Sequence, residues 1–446
     1  MIVAALTAVA ALTPAPADVA AIRQVVADSS AQPAPGCVVG IFRNGRPLAM
    51  TAAGMADIAA GKPLDADTLL YAASVSKQFT ALAAALLAER GVLDLDADIR
   101  RYLPEMPVYD RPVTARMLLY HSSGIRDWLD LARMAGRADS SRVTKDEALA
   151  LLFRQRTTNF TPGTAYLYSN GGFLLLAEII ERVSGMPFPD FVRDQILKPM
   201  GMTRSFVMSG RVPQDANIAH GYVATGNGFV IRDTYPLIGG SGGLMTTLND
   251  LARYAYDIDK GHRVWTPRIH AIMEQAGTFT DSSPLVRAPG QQISAAGLAV
   301  GMRRGRYFIE HSGVAEGFRN QFARIPALGL TVATFCNRND WSAIDLADTA
   351  LDRAVGPILT PRPLDRVGGN YMSEEIPVVY TLSPERDGLH IRIGNAEKPV
   401  VLRPTDSPDR FSGEGLDLRI APDGASFTLS SDRARGVRFV RASPPG

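Results

Sequence analysis

The sequence lacks the features that mark several large classes of protein. Its 446 residues include 47 basic and 45 acidic side chains, which leaves a net charge of only +2. The basic residues are scattered among the acids, so no polybasic patch that would bind nucleic acid stands out. Hydrophobic residues make up 46% of the chain, which is typical of a soluble globular protein with two or three domains and not of a disordered one.

Histidine is scarce, and its spacing indicates no metal site. The chain has six histidines, and none has a ligand-like spacing to another histidine or to a cysteine. The six are His121, His220, His262, His270, His311 and His390. We therefore expect neither a metal centre nor a cofactor.

Cysteine is also rare. Cys37 and Cys336 are the only two in the chain, and each lies in an apolar run typical of a strand. Two buried free thiols are the expected state of such residues. The alternative is a disulfide, which requires that the two runs be neighbouring antiparallel strands with Cα atoms within about 7 Å.

Long hydrophobic runs are missing as well. The apolar stretch Ile2–Leu12 is too short to span a bilayer, so we expect no membrane span. It ends near Ala15-Pro16-Ala17, which resembles a small-residue cleavage site, so we expect a signal peptide over residues 1–17 and a periplasmic or secreted protein. Because Met1 is followed directly by Ile2, with no basic segment, a misassigned start or a cytoplasmic protein is the alternative.

Among the residues that are present, Ser74 and Lys77 form the most informative pair. They stand at the head of an Ala- and Leu-rich run whose apolar residues recur every three or four positions, which predicts a helix ending at Gly91. A lysine one turn from a serine can activate it if burial lowers the pKa of the amine, and the helix N-terminus can stabilise an oxyanion. Alone, this Ser-x-x-Lys pattern is more often an ordinary cap followed by a surface lysine.

Two other residues compete for a catalytic role. Ser241 lies in Gly-Gly-Ser-Gly-Gly, which matches the Gly-x-Ser-x-Gly elbow of α/β-hydrolases. The segment before it contains Pro236, which a central strand does not tolerate, so we interpret the segment as a flexible loop before a helix at Leu248–Ile258. His121 lies between a short predicted helix and a tight turn, where a histidine is more often structural than catalytic.

The order of the predicted elements indicates an α/β (α+β) fold. Two early strands, Cys37–Phe42 and Pro47–Thr51, are joined by Asn44-Gly45, a strong hairpin signal. After a helical middle, three late strands are predicted at Tyr307–Glu310, Phe318–Ile325 and Leu330–Phe335. Early and late strands would together build one antiparallel sheet flanked by helices.

Proline-rich sequence divides the chain into regions. We expect one catalytic domain at residues 18–356, a linker at residues 357–368 where proline content rises, and a β-domain at residues 369–446. The last region consists of short β-like runs separated by turns, which predicts a small antiparallel β-barrel.

A further candidate site segment lies within the expected catalytic domain. Tyr168 and Asn170 alternate about Ser169, just before the apolar helix predicted at Phe173–Val183. In an extended loop their two side chains point to the same side. By itself this segment is a turn with a core tyrosine.

Three motifs therefore follow one another: Ser-Val-Ser-Lys at Ser74, Tyr-Ser-Asn at Tyr168, and His-Ser-Gly at His311 near the end of a strand. Together they resemble the penicillin-recognising serine hydrolases, which include class C β-lactamases, serine DD-peptidases, D-aminopeptidases and related carboxylesterases. The resemblance also takes in the His-Ser-Ser-Gly turn at His121 and the segment that follows Gly242. It implies a β-lactamase/transpeptidase-like fold with an all-helical subdomain beside the sheet.

The resemblance also implies roles for the motif residues. Ser74 would be the nucleophile that forms an acyl-enzyme, with Lys77 as its proton partner. Tyr168 would be the general base and then protonate the leaving group, because an adjacent lysine ammonium lowers the pKa of its phenol. Asn170 would hold Lys77 and the substrate amide. The oxyanion hole would consist of the backbone N–H groups of Ser74 and Val314.

The third motif departs from the usual β-lactamase pattern, Lys-Thr-Gly. His311 replaces a permanent ammonium with a group that is mostly neutral at pH 7 in its unperturbed state, which weakens attraction for a substrate carboxylate. D-aminopeptidases, some DD-peptidases and some esterases of the family are similar to this chain in having histidine there. The same resemblance places His311 among the catalytic residues and Ser312 and Gly313 in the substrate-binding strand.

We therefore expect a serine hydrolase that acts on short peptides or amides containing D-amino acids. A short-chain carboxylesterase on the same residues is the first alternative, and a β-lactam sensor that acylates and deacylates slowly is the second. The expected partner is a small-molecule or peptide substrate, with no nucleic acid. The sequence does not reveal the oligomeric state.

Overall fold

The computed structural model describes residues 20, 22–23, 26, 33–137, 139–210, 217–233, 235–287, 292–303, 306–355, 367–385, 388–405, 409–421, 423–431 and 433–442. The expected signal peptide lies outside these residues, as does the expected linker except for its last two positions. The chain forms two compact units, the first from residues 1–275, 296–298 and 310–358, the second from residues 276–295, 299–309 and 359–446. The domain boundaries expected at residues 356 and 369 stay a prediction.

Helices are concentrated in the middle of the chain. In the described residues the α-helices are α1 Lys77–Glu89, α2 Ala115–Leu119, α3 Trp128–Met134, α4 Lys145–Phe153, α5 Asn170–Ser184, α6 Phe188–Val192, α7 Lys198–Met200, α8 Leu248–Tyr256, α9 Pro267–Met273 and α10 Ala343–Val355. Helix α5 contacts α1, α2, α3 and α4, so it lies at the centre of the helical region. No helix in the described part of the chain is long and apolar enough to cross a membrane.

The longer strands occur early and late in the chain, as the sequence predicts, and the short strands β6 to β9 lie between them. Before the C-terminal region they are β1 Cys37–Arg43, β2 Arg46–Ala53, β3 Met55–Asp57, β4 Lys62–Pro63, β5 Leu70–Tyr71, β6 Phe206–Val207, β7 Tyr222–Thr225, β8 Gly228–Ile231, β9 Leu244–Thr246, β10 Ile293–Ala295, β11 Leu298–Arg303, β12 Arg306–Ala315, β13 Phe318–Ile325 and β14 Leu330–Cys336.

The sheet of the first unit brings the two ends of that region together. Its strands lie in the order β12-β13-β14-β1-β2, and β1 pairs antiparallel with both β2 and β14. Asn44 and Gly45 both have positive φ, which is the turn geometry expected of the predicted hairpin. Helices α8 and α10 both pack against β1 and β14. The prediction of an antiparallel sheet flanked by helices is thus confirmed.

The two cysteines are joined, so the expectation of free thiols is wrong. Cys37 and Cys336 lie directly opposite one another in the β1–β14 register and form a disulfide. Their Cα atoms are 4.0 Å apart. The sequence pattern of each run alone does not reveal this, because the pairing joins residues 299 positions apart.

The C-terminal strands of the second unit close into a barrel, as predicted. They are β15 Gly369–Met372, β16 Tyr380–Glu385, β17 Gly388–Ile393, β18 Val400–Pro404, β19 Arg410–Gly413, β20 Leu416–Ile420, β21 Ser426–Ser431 and β22 Val437–Arg441. Each pairs antiparallel with the next, and β22 pairs with β15. The barrel interior is filled by apolar side chains, with Phe427 and Phe439 stacked at 4.7 Å between ring centres.

The disulfide gives a first prediction. Replacing Cys37 and Cys336 together by alanine should lower the free energy of unfolding by about 2–5 kcal/mol, because the crosslink restricts a very long loop of the unfolded chain. Urea denaturation with and without a thiol reductant measures the effect. The reductant should destabilise the wild type and leave the double variant unchanged. An identical wild-type midpoint after complete reduction would contradict the prediction.

Candidate active site

Ser74 lies in a tight turn between strand β5 and helix α1. The turn is a 3-10 helix at Ala73–Ser76, and the α-helix begins at Lys77, so Ser74 precedes the helix that the sequence places it in. Ala73 has a φ of +48°, a left-handed conformation that a residue with a side chain adopts at a cost. Strain of this kind is typical of positions that the surrounding structure holds for function. The turn nevertheless keeps Ser74 and Lys77 together, with 3.1 Å between Lys77 Nζ and Ser74 Oγ.

Lys77 is completely buried and its amine contacts three acceptors. Besides Ser74 Oγ, Nζ donates to Asn170 Oδ1 at 2.8 Å and to the backbone carbonyl of Ser241 at 2.7 Å. Burial lowers the pKa of Lys77 to about 7, and the nearby carboxylate of Asp127 opposes this shift. A large fraction of the amine is therefore neutral near pH 7.

Asn170 is oriented by Asp127, a residue that sequence reasoning missed. Ser169 caps helix α5 by accepting from the N–H of Gly172, which makes Asn170 the first helical residue. Asp127 Oδ2 accepts from the backbone N–H of Asn170 at 2.7 Å and from its Nδ2 at 2.8 Å. The side-chain oxygen of Asn170 is thereby directed at Lys77. The sequence signal at Asp127 is only that of a helix cap, since its Oδ1 accepts from the N–H of Leu129.

Tyr168 packs between the lysine and a buried histidine. Lys77 Nζ lies 4.7 Å from the centre of the Tyr168 ring, so Tyr168 and Asn170 both reach the same amine, as their alternation predicts. The ring of His121 stacks on Tyr168 at 4.3 Å between centres, and its Nδ1 accepts from the N–H of Ser169 at 3.1 Å. His121 therefore packs against Tyr168 and holds the loop at Tyr168 and Ser169 in place.

The third motif lies in the last part of strand β12, near the end of a strand as the sequence predicts. Strand β12 extends beyond the predicted Tyr307–Glu310 to Ala315, so it includes His311, Ser312, Gly313 and Val314. His311 Nδ1 donates to the carbonyl of Ser312 at 2.6 Å, and its ring centre lies 6.2 Å from that of Tyr168.

Gly313 fits this strand closely against the turn that carries Ser74. A Cβ at position 313 would lie 2.4 Å from the carbonyl oxygen of Ala72 and 3.3 Å from Cβ of Ala73. Only glycine permits this approach. The strand at Gly313 is thus packed against Ala72 and Ala73, the two residues before Ser74.

Ser241 takes part in the site through its backbone. Its carbonyl accepts from Lys77, while its hydroxyl accepts from Trp128 Nε1 at a long 3.4 Å. A strand, β9, follows the glycine-rich segment, whereas the hydrolase elbow requires a helix there. The segment at Ser241 therefore does not have the geometry of a hydrolase elbow. The sequence gives no indication that the carbonyl of Ser241 contacts Lys77.

The described residues offer no metal-binding group of three or more His, Cys, Asp or Glu side chains. The arrangement instead joins a serine hydroxyl to a buried amine, with an aromatic hydroxyl and an amide beside them. Such a set can activate a serine for attack on a carbonyl carbon and supply a proton to the group that leaves.

Comparison with known proteins agrees with this chemistry. The family model described as Beta-lactamase matches residues 20–356. The chain belongs to the β-lactamase family. It is a serine hydrolase of that family, and its fold is the β-lactamase/transpeptidase-like fold that the three motifs predict.

Individual relatives of this β-lactamase-family hydrolase extend the comparison. A D-aminopeptidase of Cereibacter sphaeroides is 30% identical over 423 residues, covering 92% of this chain and 76% of that protein. The octameric penicillin-binding protein homologue from Pyrococcus abyssi has a TM-score of 0.66 at 24% identity, covering 92% and 96% of the two chains. The D-amino acid amidase from Ochrobactrum anthropi has a TM-score of 0.62 at 21% identity, covering 75% and 98%. At these identities the two structures show the fold alone.

The close approach at Gly313 gives a second prediction. Gly313→Ala should lower the free energy of unfolding by about 1–3 kcal/mol and reduce esterase kcat/KM, because the new methyl group collides with the backbone of Ala72. Gly226→Ala is the matched control, since a Cβ there meets nothing within 4 Å. Thermal denaturation and nitrophenyl ester hydrolysis measure the two effects. Equal losses of stability and of ester hydrolysis in Gly313→Ala and Gly226→Ala would contradict the close packing at Gly313.

Proposed function

We propose that this hydrolase cleaves short peptides or amides that carry a D-amino acid, through an acyl-enzyme on Ser74. The observation that carries the proposal is the buried amine of Lys77, which contacts Ser74 Oγ and has a pKa of about 7. An amine of this kind can accept the serine proton at neutral pH. An ordinary surface lysine, with a pKa near 10.4, cannot do so efficiently.

In the first step, the neutral amine of Lys77 takes the proton of Ser74 as its oxygen attacks the carbonyl carbon. Two amine hydrogens remain directed at Asn170 Oδ1 and the Ser241 carbonyl, which leaves the nitrogen lone pair for the serine. We assign this proton transfer to Lys77, whose amine nitrogen lies 3.1 Å from Ser74 Oγ. The resulting ammonium keeps all three acceptors.

The later steps use the residues around this pair. Backbone N–H groups of Ser74 and Val314 stabilise the oxyanion of the tetrahedral intermediate, and the tight contact of Gly313 on Ala72 supports their placement. Tyr168, whose ring lies beside both Lys77 and His311, passes its phenol proton to the leaving group and regains a proton from the Lys77 ammonium. Water then attacks the ester carbon and gives a proton to the neutral Lys77, which returns it to Ser74 Oγ as the C–O bond of the ester breaks.

Two observations support a D-amino acid substrate. The relative from Cereibacter sphaeroides is named a D-aminopeptidase, and its likeness extends over 92% of this chain. In addition, strand β12 carries His311 where β-lactamases have a permanent ammonium, which disfavours a β-lactam carboxylate at that position.

The test is a comparison of two substrates in three proteins. We expect the wild type to release nitroaniline from a D-alanyl anilide as well as nitrophenol from a short-chain ester. Ser74→Ala should lower both values of kcat/KM by at least about 1,000-fold. Ser241→Ala should stay within about tenfold of wild type, because alanine keeps the carbonyl that Lys77 contacts.

The other outcomes decide between the alternatives. Turnover of the ester without the anilide would contradict the D-amino acid proposal and favour a carboxylesterase. Stoichiometric acylation by a β-lactam without turnover of either substrate would favour a sensor. Loss of activity in Ser241→Ala with activity retained in Ser74→Ala would restore the elbow hypothesis.

A further inference from the structure

A cavity opens beside Tyr168. Its volume is about 370 Å³, which is within the range of small-molecule sites. The wall includes Arg126, Asp127, Leu131, Gln155, Leu167 and Tyr168. It therefore combines apolar surface with charged groups directly next to a residue of the active site.

Among the residues that the structure describes, Arg126 is a cation without an anionic partner. Its Nη1 donates to Gln155 Oε1 at 2.7 Å and its Nη2 donates to Thr157 Oγ1 at 2.8 Å, and both acceptors are neutral. Across the described residues no carboxylate forms an ion pair with it. A guanidinium has five N–H donors in a planar fork, so donors remain for a carboxylate that enters the cavity.

The wall also carries two carboxylates, and both have partners of their own. Asp127 accepts three short N–H hydrogen bonds and acts electrostatically on Lys77. Asp130 forms a salt bridge with Arg133, whose side chain is 71% exposed. Arg126 is therefore the cationic side chain among the residues that line this cavity.

The backbone of Arg126 is fixed relative to the active site. Its carbonyl oxygen lies so near Gly171, in the first turn of α5, that a Cβ there would be only 2.2 Å away. The next residue, Asp127, bonds to Asn170. The segment that carries Arg126 is thus packed against the first turn of helix α5. That turn begins with Asn170, which follows Tyr168 by two residues.

We propose that Arg126 binds the carboxylate of the leaving group, so that the preferred substrates are peptides whose released part ends in a free carboxylate. This inference rests on the proposed function, in which Tyr168 protonates the leaving group. A group that leaves past Tyr168 enters the cavity that Tyr168 and Arg126 both line. Simple amides and esters lack the carboxylate and leave the guanidinium unpaired.

The experiment compares D-alanylglycine with D-alanylglycinamide, which differ only in the terminal carboxylate, and follows release of D-alanine. In the wild type, kcat/KM for D-alanylglycine should exceed kcat/KM for D-alanylglycinamide by at least about tenfold, because a charge-assisted hydrogen bond contributes this much to binding. In Arg126→Gln this ratio should fall to about one, and Arg126→Lys should keep part of it.

Arg90→Gln is the matched control. It removes the same charge from a guanidinium that also donates to a glutamine, with 2.9 Å between its Nη2 and Gln195 Oε1, but Arg90 does not line the cavity. Its carboxylate preference should equal that of the wild type. Salt should weaken the preference only in proteins that retain Arg126, since the contact is electrostatic.

The outcomes separate this inference from the proposed function. Hydrolysis of both dipeptides with a ratio near one in the wild type would overturn the role of Arg126 and leave the proposed function standing. A high ratio that persists in Arg126→Gln would also overturn it. Hydrolysis of neither dipeptide would overturn the role of Arg126, and turnover of the D-alanyl anilide then decides whether the proposed function stands. A wild-type ratio near one is decisive without a variant, and a high ratio is assigned to Arg126 through Arg126→Gln or, if that variant does not fold, through Arg126→Lys.

Discussion

The site depends on the burial of one amine. Lys77 has no exposed surface, and an ammonium in such a position carries a large desolvation cost unless it is paired or neutral. Three oxygen acceptors contact the amine. Burial lowers the pKa of Lys77 to about 7, and the charge of Asp127 opposes the shift. Burial raises the free energy of the charged amine. The neutral amine is therefore populated near pH 7, and in the proposed mechanism it accepts the proton of Ser74.

The remaining elements hold the acceptors of that amine in place. The loop before α5 supplies Asn170, whose orientation is fixed by Asp127. The glycine-rich segment supplies the carbonyl of Ser241, and Thr80 donates to the carbonyl of Gly240 at 2.7 Å from the next turn of α1. Strand β12 then approaches the serine turn from the sheet side at Gly313.

Much of this was accessible from sequence because the signals are local. Helix periodicity, the Asn44-Gly45 hairpin and the β-rich C-terminal region each depend on neighbouring residues, and the three motifs identify Ser74, Lys77 and Asn170 together. What the sequence could not supply is long-range contact. The Ser241 carbonyl lies 164 positions from Lys77, and the partner of Cys37 lies 299 positions away. Asp127 shows only the signal of a helix cap, although it positions a residue 43 positions later.

The pH dependence of Ser74 acylation tests the central claim most directly. Stopped-flow measurement of nitrophenol release from a short-chain ester gives the acylation rate, in wild type and in Asp127→Asn. The rate should rise with pH through a midpoint near 7, because only the neutral amine of Lys77 accepts the serine proton. In Asp127→Asn the midpoint should move to lower pH, since the carboxylate that favours the ammonium is gone. A rate that falls with rising pH through this range, or a midpoint near that of an exposed lysine, would contradict the account.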